Sequence, residues 1–196
     1  MCDTIWETAY VWDLGTGTVI DSVAVETTNF EFPHILAVSP NGDVFVIWDR
    51  YDVSAYRVST GERVWTLPAR GTGRVFAQVS EDGSQVLLAL SEAGPARIQT
   101  LDLETGAVLA ERREAYFFDL YDVRHGQAVY SSALESGRQL VRVVQLEDLS
   151  VVRDIDTEIG GGSSAAGARI TPEGVVTLTD FNAVYRWDLS LSWEPY

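Results

Sequence analysis

The two histidines are the first residues to consider for chemistry, because an imidazole can serve as a general base or a metal ligand near neutral pH. His34 follows Pro33 directly before an apolar run, and His125 precedes Gly126 in a turn-like segment. Histidines in turns and loops mostly face solvent, so the sequence predicts no catalytic or metal-ligating role for either. His34 remains a candidate interface residue.

Aspartates form the second group of candidates. Two similar tetrapeptides, Asp49–Asp52 and Asp119–Asp122, carry paired aspartates that could bind Ca²⁺. They fall at different places in the repeat described below, so they predict capped turns rather than a symmetric metal site. Asp13, Asp102 and Asp188 stand at equivalent places before turns. We expect these three carboxylates to accept hydrogen bonds from turn amides.

Several other chemistries lack the residues that they need. All 14 basic residues are Arg, and the absence of Lys excludes Schiff-base chemistry and a P-loop lysine. The glycine-rich stretch 160–167 is therefore predicted to link two repeats rather than to cradle a phosphate. Cys2 is the only cysteine, which excludes an intrachain disulfide and a thiolate metal site. The sequence predicts no catalytic residue, no metal and no cofactor.

Two turn motifs alternate along the chain with one period. Measured at the turn glycine, copies of the first motif lie 44, 45 and 43 residues apart. The copies are Trp12–Gly17, Tyr56–Gly61, Leu101–Gly106, the degenerate Val144–Leu149 and the partial Arg186–Ser190. The second motif recurs as Ser39–Asp43, Ser80–Ser84, Asp122–Gln127 and Thr171–Val175. Such regular spacing indicates a repeat architecture.

Short apolar runs of the β type flank each turn. In the best copy, Ile35–Val38 leads into an Asn-Gly turn, and Val44–Trp48 leads out of it. Asn-Gly and Asp-Gly pairs between apolar runs are strong hairpin signals. Each repeat therefore predicts two hairpins, or four antiparallel strands, which is typical of a β-propeller blade. The predicted fold class is all-β, with about four and a half blades, each sheet burying its faces against its neighbours.

The predicted blades make up a single domain over 1–196. Complete blades span 35–68, 74–112 and 116–155, the last blade spans 166–196, and a partial blade spans 8–27. Closed propellers usually have four to eight blades. The chain could close as a small ring, form a segment of a longer propeller, or share one ring with another chain. We favour the segment or the oligomer, because an open terminal blade exposes unpaired strand edges.

Two motifs carry a family resemblance. The Trp-Asp-Leu triplets at 12–14 and 187–189 resemble those of WD-repeat blades. The segment Ala55–Trp65 is similar to the tryptophan-docking motif of pyrroloquinoline-quinone-type propellers, which implies that Trp65 wedges its blade against the next one. The sequence departs from that pattern at Arg57, where the family usually has an acidic residue, and at Asp21 and Ala110, where further docking tryptophans would fall.

Charge and composition limit the partners. A formal net charge of −15 argues against binding to nucleic acid or to an anionic membrane. The first 20 residues lack the features of a secretory signal, so the expected location is cytoplasmic. The leading hypothesis is a non-enzymatic scaffold that presents loops to a protein partner, with Trp6, Trp193 and His34 as candidate interface residues.

The alternative hypothesis is that the chain is a portion of a quinone- or sugar-handling propeller. The tryptophan-docking resemblance motivates it, and sites of that kind gather Arg, Asp and aromatic groups around a central channel. Arg74, Arg97 and Arg169 are the arginines that could contribute there.

Overall fold

A computed structural model describes residues 5–13, 15–27, 34–69, 73–91, 94–133, 139–156, 167–179 and 184–189. Within these ranges every regular element is a β-strand, which confirms the predicted all-β class. None of the described residues belongs to a helix that is long and apolar enough to span a membrane.

The described ranges contain 17 strands, numbered here in chain order. They are β1 (Ile5–Asp13), β2 (Thr18–Thr27), β3 (His34–Val38), β4 (Val44–Trp48), β5 (Asp52–Arg57), β6 (Arg63–Pro68), β7 (Arg74–Val79), β8 (Gln85–Ser91), β9 (Ala96–Asp102), β10 (Val108–Glu114), β11 (Phe117–Arg124), β12 (Gln127–Ala133), β13 (Gln139–Gln145), β14 (Val151–Asp156), β15 (Gly167–Ile170), β16 (Val175–Thr179) and β17 (Val184–Asp188).

These strands form five antiparallel sheets in which each strand pairs with its neighbours along the chain. Sheet 1 consists of β1 and β2, sheet 2 of β3–β6, sheet 3 of β7–β10, sheet 4 of β11–β14 and sheet 5 of β15–β17. Sheets 2, 3 and 4 are the four-stranded meanders that the repeat predicts. Within the described ranges the five sheets form an open arc.

Two kinds of polar contact shape the tight turns. In the turn between β3 and β4, the Val44 amide donates to the Ser39 hydroxyl at 2.9 Å, and Gly42 has a φ of 75°, which favours glycine. In the turn between β9 and β10, the Thr105 amide donates to the Asp102 carboxylate at 2.8 Å. Asp13 accepts the amides of Gly15 and Thr16 in the same way. The predicted capping role is thus confirmed for Asp13 and Asp102.

The core lies between the sheets, in one apolar layer at each junction. Val23 and Val25 of sheet 1 pack with Phe45 and Tyr56 of sheet 2, and similar layers join sheets 2 and 3, 3 and 4, and 4 and 5. A strand such as β8 (Gln85–Ser91) is buried on both faces and therefore carries a continuous apolar run. Fully burying one such leucine contributes about 1.5–3 kcal/mol, so the stack is the main source of stability.

The first strands of neighbouring sheets contact one another: β3 contacts β7, β7 contacts β11, and β11 contacts β15. These four strands therefore line the inner side of the arc, and we call them the inner strands. Their position matters for function, because side chains from more than two sheets can approach one another along this side.

Candidate functional site

Three consecutive inner strands, β3, β7 and β11, line an open groove of about 400 Å³ where they approach their tight turns. We call it the axial groove. Leu36 and Val38 of β3 and Val79 of β7 supply apolar lining, and Glu81 and Arg124 supply charge. The groove thus joins parts of the chain that lie about two repeats apart, which is why no single motif marks it.

The apolar lining of the axial groove is open to solvent on the β3 side. Val38 is 53% exposed, and Ile35 on the same strand is also exposed. In the described part of the chain β3 pairs only with β4, so one of its edges carries no partner strand. Exposed aliphatic side chains beside a groove can serve as part of a contact surface.

Charged groups from neighbouring turns meet beside the groove. The backbone amide of His125 donates to the Glu81 carboxylate at 3.1 Å, and His125 Nδ1 lies 3.2 Å from the same oxygen, Oε2. Asp122 uses both carboxylate oxygens for structure, accepting Arg124 Nε at 3.0 Å and the Ile170 amide at 3.0 Å. Asp122 is therefore committed to joining sheets 4 and 5.

Further along the inner strands, Arg74 of β7 and Asp119 of β11 interact electrostatically. Burial raises the pKa of the Asp119 carboxyl, and the positive charge of Arg74 opposes that shift. Arg169 lies exposed on the inner strand β15. Arg97 departs from the expectation, because it lies on β9, the third strand of its sheet, and not on an inner strand.

The remaining candidates from the sequence are dispersed. His34 begins β3 and is exposed, with its ring centroid 6.0 Å from that of Trp48. Trp6 lies on β1, but its side chain is outside the described part of the structure, as are Cys2, Trp193 and residues 160–166. Asp49 caps its own turn, since the Tyr51 and Asp52 amides donate to it. Among the described residues, no group of three or more His, Cys, Asp or Glu could hold a metal ion.

Trp65 lies buried between sheets 2 and 3. Its indole Nε1 donates to the backbone oxygen of Leu103 at 2.8 Å, and its ring covers Gly106 in the next sheet. A Cβ added at Gly106 would lie 2.5 Å from Trp65 Cγ, so the contact requires a glycine there. Gly106 also has a φ of 70°, which independently favours glycine.

The same backbone position accepts a hydrogen bond at the next two junctions. Leu146 and Leu189 occupy the place of Leu103 in their copies of the turn motif. The Leu146 oxygen accepts from the Thr100 hydroxyl at 2.8 Å, and the Leu189 oxygen accepts from Arg153 Nη2 at 3.4 Å. We call these three oxygens the docking carbonyls. The sequence could not reveal them, because a backbone acceptor has no residue signature.

A buried ionic network also joins sheets 3 and 4. The Glu114 carboxylate accepts hydrogen bonds from the Tyr130 hydroxyl at 2.8 Å, from Arg142 Nη1 at 2.6 Å and from Arg112. Burial alone would raise the pKa of Glu114, but these hydrogen bonds hold it below its usual range. Arg142 also pairs with Asp154 through two hydrogen bonds of 2.6 and 2.7 Å.

The network includes one end of a short charged run in the sequence. The run Glu111–Glu114 suggests a solvated outer strand, yet Glu114 at its end is buried. Arg112 belongs to the run, but the other two partners, Tyr130 and Arg142, come from β12 and β13, which lie well beyond it in sequence. A charged run in the sequence therefore does not show that all of its residues are exposed, because partners distant in sequence can bury one of them.

Comparison with solved structures places this stack of sheets among known folds. BamB from Moraxella catarrhalis matches 89% of the chain with a TM-score of 0.63 and 12% identity. Kuenenia stuttgartiensis hydrazine synthase matches 86% with a TM-score of 0.57 and 17% identity. The dihydro-heme d1 dehydrogenase NirN, solved in complex with DHE, matches 95% with a TM-score of 0.60 and 16% identity. The chain has a β-propeller fold.

The β-propeller likeness concerns the fold alone, because identity is low in every case. The chain spans 54%, 48% and 40% of the length of these three structures, or about half. No family model and no curated protein matches the sequence. Function must therefore be argued from this chain's own surfaces.

Proposed function

We propose that this β-propeller arc is a non-enzymatic binding scaffold whose axial groove receives a segment of a protein partner. The observation that carries the proposal is the exposed aliphatic lining of the groove, above all Val38. Charged residues at the edge, Glu81 and Arg124, would orient the segment while the apolar side chains contribute most of the affinity.

The net charge of the chain indicates which charge that partner should carry. A net charge of −15 favours the approach of positively charged proteins and disfavours that of negatively charged ones. We therefore expect a partner segment that combines an apolar anchor with basic flanking residues. Raising the salt concentration should slow its association.

Site-specific photo-crosslinking in cells tests the proposal directly. A photoreactive amino acid would replace Val38 in the groove, and a second variant would carry it at Val108, an aliphatic residue of similar exposure on the outer strand β10. We expect a discrete heavier product from position 38 that position 108 does not give. Equal products from both positions, or none from position 38, would contradict the proposal.

A ligand-handling propeller of the quinone or sugar type is the alternative. The observation that favours it is Asp119, a half-buried carboxyl with a raised pKa near Arg74 on neighbouring inner strands. Such a pair can hydrogen-bond to hydroxyl or carbonyl groups. A rise in melting temperature with a quinone cofactor and Ca²⁺ that disappears in Asp119→Asn would support this alternative, and the absence of any rise would remove it.

A further inference from the structure

The tight turns of sheets 2–5 carry an excess of acidic residues. The seven described turns that join first to second strands and third to fourth strands contain eight Asp or Glu residues and no Arg. Asp43 among them is half-buried, and the other seven are exposed. We call these eight the turn carboxylates: Asp43, Glu62, Glu81, Asp82, Glu104, Glu147, Asp148 and Glu173.

Contacts between neighbouring sheets place these turns at one end of the arc. Arg57 at the end of β5 donates a hydrogen bond to Glu104, which lies in the turn after β9. The His125 amide in the turn after β11 donates to Glu81 in the turn after β7 at 3.1 Å. Glu173 in the turn after β15 interacts electrostatically with His125. We call this end of sheets 2–5 the turn end.

Other charges at the turn end do not cancel the excess. Three arginines and two aspartates begin or end the described strands of sheets 2–5 there, so they offset only one of the eight negative charges: Arg57, Arg63, Arg124, Asp102 and Asp188. At the other end of these sheets, the charged residues in the described connections are Asp49 and Arg50, which balance. Among the described connections, the negative excess is therefore confined to the turn end.

The structure of the turns explains only part of this acidity. Aspartates are favoured in turns because their short side chain hydrogen-bonds to nearby turn groups. Asp82 accepts the Ser80 hydroxyl at 2.6 Å and the Ser84 amide at 3.0 Å, and these bonds lower the pKa of its carboxyl and keep it ionised. Five of the eight turn carboxylates are glutamates, however, which the turns do not require in this way. Their carboxylates are exposed, so they can also contact a partner.

The axial groove reaches the turn end. Pro40 in the turn after β3 and Glu81 in the turn after β7 line it together with the exposed Val38. A segment that leaves the groove at this end passes directly over the turn carboxylates. The arrangement suits a segment in which positive charge adjoins an apolar anchor.

We infer that the partner segment proposed for the axial groove crosses the turn end, where lysines or arginines next to its apolar anchor pair with the turn carboxylates. The inference rests on the proposed function and adds the place at which the basic residues bind. It also distinguishes the two ends of the sheets, since only the turn end carries the complementary charge in the described part of the chain.

The spacing of the strands sets the length of the basic part. Neighbouring strands lie about 4.8 Å apart, so the turn between the third and fourth strands of a sheet is roughly 12 Å from the inner strand. An extended chain advances about 3.3 Å per residue, so basic residues within about four positions of the anchor can reach these outer turns. Glu62, Glu104 and Glu147 lie in the outer turns of sheets 2, 3 and 4.

Fluorescence anisotropy with three synthetic peptides tests the chemistry of the partner. The first peptide joins two leucines to four lysines, the second has glutamates in place of the lysines, and the third has serines in place of the leucines. We expect the first to bind at least about tenfold more tightly than either of the others. Equal binding of the leucine and serine peptides would show charge attraction without the groove, and equal binding of the lysine and glutamate peptides would show that charge has no role. Either result would overturn the inference.

Charge reversal tests where the lysine peptide binds. One variant combines Glu62→Lys with Glu147→Lys in the outer turns. The control combines Asp21→Lys with Glu111→Lys, which change the net charge equally at exposed positions within the outer strands β2 and β10. We expect the turn variant to weaken binding about tenfold and the control about twofold or less. Equal weakening by the two variants would show that only the net charge matters, and the inference would be wrong.

Crosslinking in cells from position 38 keeps the inference distinguishable from the proposed function. A discrete product that keeps its yield when Glu62→Lys and Glu147→Lys are added would leave the proposed function standing and overturn the inference about the turn end. Loss of the product in that variant, with retention in the Asp21→Lys and Glu111→Lys control, would support both.

Discussion

The junction between sheets 2 and 3 and the junction between sheets 3 and 4 share a geometry but differ in chemistry. At the first, the indole of Trp65 fills the space over Gly106 and donates to a docking carbonyl. At the second, the equivalent side chain is the short Ala110, and Thr100 donates to the docking carbonyl instead. The ionic network of Glu114 strengthens that second junction.

This comparison shows what the repeat preserves. The acceptor is a backbone oxygen, and its position is set by the turn whatever the side chains are. The donor changes from an indole to a hydroxyl to a guanidinium along the chain. Divergent repeats can therefore stack alike, because the shared part of the contact belongs to the backbone.

Replacement of Trp65 by Ala should have the largest effect on stability. The substitution removes a buried aromatic side chain together with its hydrogen bond, and we expect a loss of roughly 3–5 kcal/mol in the free energy of unfolding. Trp65→Phe should retain much of the packing but leave the Leu103 oxygen without its donor, and so lose less. Denaturant unfolding measures both values, and equal losses for the two variants would mean that packing contributes little.

Replacement of Glu114 by Gln should have the next largest effect. The variant keeps the size of the side chain but leaves the Arg142 guanidinium, among the described residues, with Asp154 as its one remaining carboxylate partner. We expect a loss of about 2–3 kcal/mol, which is typical of a hydrogen bond to a buried charged group. Glu111→Gln is the control, because Glu111 belongs to the same run and is exposed. Similar losses for both variants would contradict the role of the network.

The contrast between the two junctions also shows which contacts could be predicted from the sequence. The strands and hairpins were predictable because Asn-Gly and Thr-Gly turns impose the period, and the resemblance to a docking motif pointed to Trp65. The Glu114 network was not predictable, because Arg142 lies 28 residues away and burial is a property of the packed sheets. The axial groove was missed for the same reason, since its lining comes from three different repeats.

Acid should weaken the junction between sheets 3 and 4 more than the junction between sheets 2 and 3. The pKa of Glu114 is below its usual range in the folded chain. The network's contribution to the free energy of unfolding is therefore complete above about pH 4.3, the ordinary pKa of glutamate. It is lost as the pH falls further, towards the lowered pKa of the folded state. We expect the difference in unfolding free energy between wild type and Glu114→Gln to shrink below that pH. A constant difference down to pH 2–3 would show that the carboxylate charge is not responsible.

Removal of the Thr100 hydroxyl should have the smallest effect of the four. Thr100→Val keeps the shape of the side chain and leaves the docking carbonyl of Leu146 buried without its donor, which should cost about 1–2 kcal/mol. Thr8→Val is a matched control on the exposed face of β1 and should change stability very little. If Thr100→Val were as stable as wild type while Trp65→Phe was clearly weakened, the docking carbonyls would not be equivalent. The stacking of divergent repeats would then depend on side-chain packing at each junction rather than on a common backbone acceptor.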